Sequence, residues 1–392
     1  GITIVICPLK SLIYDQVEQL KKKGINCELL NGDLSMAKKN KIISQLKQKI
    51  IEIKLLYTTP ETIICNEEII PIIKHLYDNK KINRFVLDEA HCISTWGHDF
   101  RPNYLKVRNL KKFYPETPII SLTATATKKV MADLKNILDL NSKTKIFETS
   151  FLRNNLNISI FPRGSKKKDK ELVIKDISNQ LKTKYLNQTA ILYAFSKKEC
   201  ENISNKLKEL GISSSIYHAG LSAKDRNETQ NKWINDEYQI ICATIAFGMG
   251  IDKSNVRVVY HFNMPKNIEG YYQEIGRGGR DKLNCDCIMY FCPNDIILYN
   301  QISNKYKKEL NNINSFYKIR NENKIRNEQI KMYDMVSYIE NTKVCRHIAL
   351  CNYFGEKRKE KIGFCKDRCD NCINFIKNGS QLNLKDETNM AE

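Results

Sequence analysis

The string RFVLDEAH at 84–91 ends a short, mostly apolar run in two adjacent carboxylates, Asp88 and Glu89, followed closely by His91. A run of that kind reads as a buried strand, and open α/β sheets take their ligands at the carboxyl ends of strands. A carboxylate there can hold Mg2+ through water, because Mg2+ keeps several of its own waters. Its neighbour can then accept a proton from a water attacking a phosphate. An acidic strand end also caps the helix that follows it, so the pair alone carries both readings.

The next stretch, CISTWGHDFRPNY (92–104), puts Trp96, His98, Phe100 and Arg101 on one segment that Gly97 and Pro102 keep irregular. Aromatic rings and a guanidinium suit single-stranded nucleic acid, where stacking contributes about 1–3 kcal/mol per base. Far along the chain, YYQEIGRGGRDK (271–282) carries Gln273, Arg277 and Arg280. An arginine brought to a transferring phosphoryl group neutralises its charge, an effect of about 10³–10⁵ in rate in NTPases. In ATIAFGMGID (243–252), Gly248 and Gly250 allow tight backbone turns beside a phosphate, and Thr244 and Asp252 add polar contacts. Cys365, Cys369 and Cys372 fall together in CKDRCDNC, with Cys345 upstream in VCRHIALCNYFGE. Four thiolates at such spacing form a structural zinc set, and a closed set leaves no position open for catalysis. Cys351 and His347 are the further candidates nearby.

These residues need a scaffold, and the hydrophobic pattern supplies one. Apolar runs at 2–7, 55–58, 84–88 and 118–124 alternate with helical or polar segments, beginning with a helix over 10–23. A second series follows at 190–195, 214–219, 239–244, 256–262 and 287–291. Strands alternating with helices argue for parallel sheets, so two α/β domains stand in tandem. Residues 150–170, with Pro162, Gly164 and a lysine run, read as a surface crossing between them. Residues 300–345 are polar and helical in pattern, and the last dozen read as a frayed tail.

Composition narrows the partners. The chain has 392 residues, with 64 Lys and Arg against 44 Asp and Glu, a formal charge of +20. That balance favours a polyanion, although a general enrichment in Lys, Asn and Ile produces the same sign. No run of about 18 uncharged apolar residues occurs, and the start reads as a strand rather than a signal peptide. Cys7, Cys65, Cys92 and Cys242 are scattered singly in apolar surroundings, as free thiols are in a reducing compartment.

DEAHCISTWGHDFRPNY resembles helicase motif II joined to the aromatic-rich loop of the RecQ family of DNA helicases. The resemblance extends over roughly residues 1–375. VICPLKSLIYDQVEQL (5–20) is similar to motif Ia, LLYTTPETI (55–63) to Ib and SLTATAT (121–127) to III. ILYAFSKKECE (191–201), ATIAFGMGID and YYQEIGRGGRDK are similar to motifs IV, V and VI. The resemblance implies two RecA-like domains, the first incomplete at 1–150 and the second at 151–298. A helical zinc-binding domain at 299–376 and a tail at 377–392 follow. It implies ATP, Mg2+ and Zn2+ as cofactors, and DNA, single-stranded and at duplex junctions, as partner. Glu89, Asp88, Arg280, Arg277 and Gln273 would carry catalysis, with Arg280 as the finger. Asp88, His91, Gly248, Gly250, Asp252, Arg277 and Arg280 would hold nucleotide. Pro8, Lys10, Ser11, Thr59, Trp96, His98, Phe100, Arg101, Thr123, Thr125 and Thr244 would meet DNA. Cys345, Cys365, Cys369 and Cys372 would bind zinc, with Cys351 packed in the core at a position usually apolar in the family.

The phosphate-cradling loop G-x-x-x-x-G-K-[ST] does not occur in the sequence. The family has that loop, and an adenine-binding Gln segment, ahead of the strand at position 1, so the expectation is a truncated first domain. The implied function is ATP-dependent 3′–5′ DNA unwinding in repair, recombination and replication, in the nucleus if the source is eukaryotic and in the cytoplasm otherwise. Two alternatives stand beside it. One is a DNA-binding scaffold without motor activity. The other is a DEAH-type RNA helicase, against which the aromatic loop and the cysteines both argue.

Overall fold

The computed structural model describes residues 1–94, 96–97, 101–141, 143–248, 253–301, 315–359 and 361–378, and leaves aside the side chains of Ser11 and of 315–324. Two compact units result, one built on Gly1–Glu148 and the other on the residues from Thr149 onward.

In the first unit the order is β1 (Ile2–Ile6), α1 (Lys10–Lys22), β2 (Cys27–Leu30), α2 (Met36–Leu46), β3 (Leu55–Thr58), α3 (Pro60–Cys65), α4 (Ile70–Asp78), β4 (Ile82–Leu87), α5 (Leu110–Phe113), β5 (Ile119–Ser121) and α6 (Lys128–Ile137). The strands are parallel in the order β2-β3-β1-β4-β5. Both faces of the sheet are covered. Ile2, Ile4 and Ile6 join one core with Leu56, Phe85 and Tyr104, while Val5 and Cys7 join another with Ile13 and Val17. Period-2 alternation with apolar residues at both phases is the signature of a strand buried on two sides. Because β4 lies across β1 from β2 and β3, the strand order reverses beside the carboxyl ends of β1 and β4. Open sheets take ligands at such a point.

The second unit repeats the plan with β6 (Leu156–Pro162), α7 (Lys167–Lys182), β7 (Thr189–Tyr193), α8 (Lys197–Glu209), β8 (Ser214–Tyr217), α9 (Ala223–Ile234), β9 (Ile240–Ala243), β10 (Val256–His261), α10 (Ile268–Ile275) and β11 (Cys285–Phe291). Its parallel sheet runs β6-β11-β10-β7-β9-β8. Ser196, Ser222 and Asn267 cap α8, α9 and α10 through their side chains, each satisfying an amide the helix leaves open. Helices Ser315–Glu340, Arg346–Tyr353 and Asp370–Asn378 complete the described chain.

One expectation is corrected. Residues 150–170 are not merely a surface crossing: Leu156–Pro162 is the edge strand β6, and Arg163 behind it is 5% exposed in an ion pair with Asp295 at 2.8 Å. Pro162 and Gly164 marked only where that strand stops. The strand β2 is not marked by an apolar run either, because Glu28 interrupts its four residues.

Candidate active site and zinc centre

Asp88 follows β4, and its amide donates to Ile6 O of β1 at 2.9 Å. Its carboxylate accepts from the Glu89 amide at 3.0 Å and from Gln16 Nε2 at 3.4 Å. Burial pushes the Asp88 carboxyl up from its ordinary value, and those two donors oppose the rise. Tyr104, fully buried, sets its hydroxyl 2.6 Å from Asp88 O and 2.9 Å from Ile6 O, so one side chain clamps both strand ends. Glu89 has φ 49° and ψ 46°, a left-handed conformation that costs a non-glycine residue about 1–2 kcal/mol. Such strain persists only where the surroundings impose it, and it gathers at functional sites.

His91 is buried, with Nδ1 3.3 Å from Glu89 Oε2 and 3.0 Å from Thr123 Oγ1. Thr123 Oγ1 also accepts from the Thr125 amide at 3.3 Å, and Thr125 is 1% exposed. The acidic box and the SLTATAT segment therefore meet at one histidine. Pro8 O accepts from Arg101 Nη1 at 2.8 Å, which ties the end of the aromatic segment to the turn after β1. Trp96 stands 40% exposed with Lys129 Nζ 5.3 Å from its ring centroid. Lys10 pairs with Asp33 at 2.7 Å, and Thr59 is the buried N-cap of α3. His98 and Phe100 lie outside the described residues, as do Gly250, Asp252 and the side chain of Ser11.

In the second unit Arg277 is 6% exposed while Arg280 is exposed, a separation the sequence did not announce. Buried Arg277 Nε meets no acceptor among the described residues. The Arg277 guanidinium faces the Tyr193 hydroxyl, which donates to Phe247 O at 2.9 Å. Burial pushes that phenol up, and the arginine works against it. Gly248 packs so closely that a Cβ there would sit 2.8 Å from Ile245 O and 3.6 Å from Arg277 Nη2. Thr244 Oγ1 accepts from the Ala246 amide at 3.4 Å. Beneath them, His261 Nε2 lies 2.9 Å from Glu274 Oε2 and its ring stacks on Tyr193 at 5.3 Å. Gln273, on α10 between Tyr272 and Glu274, is half-buried. Gly279 adopts φ +54°, where a Cβ would meet Asn155 and Leu283.

The sulfurs of Cys345, Cys365, Cys369 and Cys372 all lie within 4.8 Å of one another. A tetrahedral Zn2+ with Zn–S of about 2.3 Å holds its sulfurs about 3.8 Å apart. Cys345 Sγ and Cys369 Sγ are 3.9 Å apart, so the set fits the ion. The Gly363 amide donates to Cys372 Sγ at 3.2 Å and the Cys372 amide to Cys369 Sγ at 3.5 Å, contacts that favour thiolate. Cys351 is fully buried outside the cluster, and burial pushes its thiol up to about 11. His347 Nε2 donates to Leu156 O at 2.9 Å. Sequence reading missed Gln16, Tyr104 and Tyr193 as partners of the site. All three lie inside motifs the sequence displays, but their contacts span long sequence separations, which no local pattern gives.

Residues 1–134 match the DEAD/DEAH box helicase family, 169–282 the helicase conserved C-terminal domain, and 299–373 the RecQ zinc-binding family. The chain is 40% identical over 378 residues to the RecQ-like DNA helicase BLM of Xenopus laevis, covering 95% of this chain and 26% of that protein. It is 39% identical over 375 residues to the ATP-dependent helicase SGS1 of Saccharomyces cerevisiae, covering 95% and 24%. To the ATP-dependent DNA helicase Q1 of Pongo abelii it is 38% identical over 372 residues, covering 95% and 54%. The chain thus spans about a quarter to about a half of the length of these curated relatives. Among solved structures, the DEAD-box helicase Mss116 bound to ssRNA and UDP-BeF matches with TM-score 0.59 and 16% identity, covering 90% of this chain and 76% of that one. The helicase MrfA bound to DNA and AMPPNP matches with TM-score 0.60 and 18% identity, covering 78% and 44%. At those identities the likeness is one of fold. Two parallel-sheet units, the DEAH box on its strand end, the four-cysteine cluster and identity running along nearly the whole chain agree: the chain belongs to the RecQ helicase family.

Proposed function

We propose that this chain is the motor and zinc region of an ATP-dependent 3′–5′ DNA helicase that works in repair, recombination and replication. The observation that carries the reading is the cluster Asp88, Glu89, His91 and Thr123 at the reversal point of the first sheet, with Glu89 held in a left-handed backbone. When bound, ATP with Mg2+ supplies the phosphoryl bond whose hydrolysis drives movement. Asp88, whose carboxyl burial raises, would hold that metal through its waters. Glu89 takes the proton of the attacking water. His91 lies beside that carboxylate and is bonded to Thr123, so the acidic box and the segment that leads into α6 share one histidine. Arg280, exposed, acts as the finger, and Arg277 makes a second phosphate contact with Gln273 beside it. Gly248, Gly250 and Asp252 shape the nucleotide pocket.

DNA runs over Pro8, Lys10, Ser11, Thr59, Thr123, Thr125 and Thr244, and Trp96, His98, Phe100 and Arg101 stack on or steer its bases. Single strands and duplex junctions are the substrates, which in a eukaryotic cell puts the work in the nucleus. The test is ATP hydrolysis by the full-length protein with single-stranded DNA or RNA as stimulant, alongside Arg280→Ala. DNA should stimulate and RNA should not, and the variant should lose hydrolysis while retaining DNA affinity. Absence of DNA stimulation would move the assignment to a DNA-binding scaffold.

A further inference from the structure

Ser94 is fully buried between the acidic box and the aromatic segment, and its hydroxyl is used twice. It donates to Asp133 Oδ2 at 2.5 Å and accepts from the Trp96 amide at 3.1 Å. Asp133 belongs to α6, nowhere near Trp96 in sequence. The Trp96 turn is further defined by Gly97, whose amide donates to Ser94 O at 3.0 Å and where a Cβ would strike His91 O. One helical turn before Asp133, Lys129 sets its ammonium over the Trp96 ring at 5.3 Å, a cation–π contact. The helix thus grips this turn twice, once at the backbone through Ser94 and once at the ring. At this same N-terminal end α6 follows directly on the segment whose Thr123 bonds His91 at 3.0 Å.

We infer that Asp133 is a positioning residue for single-stranded DNA: acting through Ser94, it fixes where Trp96 stands, and so makes α6 the link between the His91–Thr123 contact and the base-stacking tryptophan. A carboxylate acceptor makes the Ser94 bond strong, and the burial of Ser94 shields its end of the bond from water. Without Asp133 the Ser94 hydroxyl turns elsewhere, the Trp96 amide loses its fixed acceptor, and the ring samples positions away from Lys129. The inference rests on the proposal that Trp96 meets DNA, and the test separates the two.

Trp96 and Trp233 are the chain's two tryptophans, and Trp233 is fully buried with its indole N–H on Ala190 O at 3.2 Å. Acrylamide therefore quenches Trp96 selectively, and emission reports the turn without DNA. Asp133→Ala should raise the quenching constant, and Asp133→Asn, which keeps an acceptor for Ser94, should restore it. In anisotropy with a labelled oligothymidylate, Asp133→Ala should weaken binding about threefold to tenfold, a fraction of the one-base stacking that Trp96 contributes. The same change in a Trp96→Ala background should add nothing further. Unchanged quenching in Asp133→Ala overturns the inference, as does an equal loss of affinity with and without Trp96. If Trp96→Ala binds DNA as the parent does, the DNA reading of the loop fails and so does the role given to Asp133, whatever the quenching shows of the latch itself.

Discussion

Removing zinc should strip the hydrogen bonds from alternate residues of a strand that binds no metal. In a parallel sheet a residue's N–H and C=O point to the same side, and the next residue's point to the other. Along β6, Cys285 N donates to Asn155 O at 2.9 Å and Arg163 N to Phe291 O at 2.7 Å, so the odd-numbered residues face β11. The even-numbered ones face the zinc module. Ile158 N donates to Arg368 O at 2.9 Å in a bridge that pairs Ile158 with the ligand Cys369. Ile160 N donates to Asp370 Oδ2 at 3.1 Å, and Leu156 O accepts from His347 at 2.9 Å. Arg346 holds Asp370 at 3.0 and 3.2 Å, but residues 361–368 ahead of Cys369 are exposed or only half-buried, so little packing orders them without the metal. Three such bonds at about 1 kcal/mol each make roughly 3 kcal/mol of local stability. That corresponds to about a hundredfold change in the opening equilibrium. Amide exchange followed by NMR, with and without a chelator and with zinc content measured in parallel, reads it directly. Ile158 and Ile160 should exchange about a hundredfold faster in metal-free protein while Asn157 and Ser159 keep their protection. Equal acceleration at all four amides, or none once the metal is gone, would refute the claim that the zinc loop serves as the outer neighbour of this edge strand.

Two further outcomes are expected. Cys351→Ala should bind zinc as the parent chain does and lose only packing stability, whereas Cys345→Ala should lose the metal; equal zinc loss from both, measured by elemental analysis, would place Cys351 among the ligands. Asp88→Asn should stabilise the metal-free protein with a definite pH dependence. The folded carboxyl stands above its ordinary value of 3.8, so the cost of ionising it is absent in acid and grows as pH rises through the folded value. The melting-temperature advantage of the variant should therefore be present at neutral pH and shrink toward pH 4, and a gap that does not change with pH would remove burial as its cause.

Strongly periodic segments could be read in advance, and for a physical reason. The β1, β7 and β9 runs are buried on both faces, so their residues are almost all apolar, and β4 ends its apolar stretch at 85–87 in Asp88. The edge strand β6 could not be read that way. Its outer hydrogen bonds go to residues some two hundred positions later, Pro162 has no N–H to offer on that outer side, and polar Asn157 and Ser159 break the apolar run. A local reading of those residues returns a crossing segment.

For the candidate site, local sequence determined which groups are present: two carboxylates on a strand end, arginines beside glycines, and four thiols at metal spacing. Residue type and short spacing suffice for that, because donor chemistry is a property of the side chain. Which groups touch was decided only by the tertiary structure. It put Thr123 on His91, buried Arg277 while exposing Arg280, and spaced the cysteine sulfurs for one ion. It also enlisted Gln16, Tyr104 and Tyr193, which lie inside quoted motifs but whose partners are distant in sequence, and Asp133 of α6. Burial, the left-handed turn at Glu89 and the shift of Asp88 arise from chain segments meeting across the sheet, and no window of sequence contains both partners.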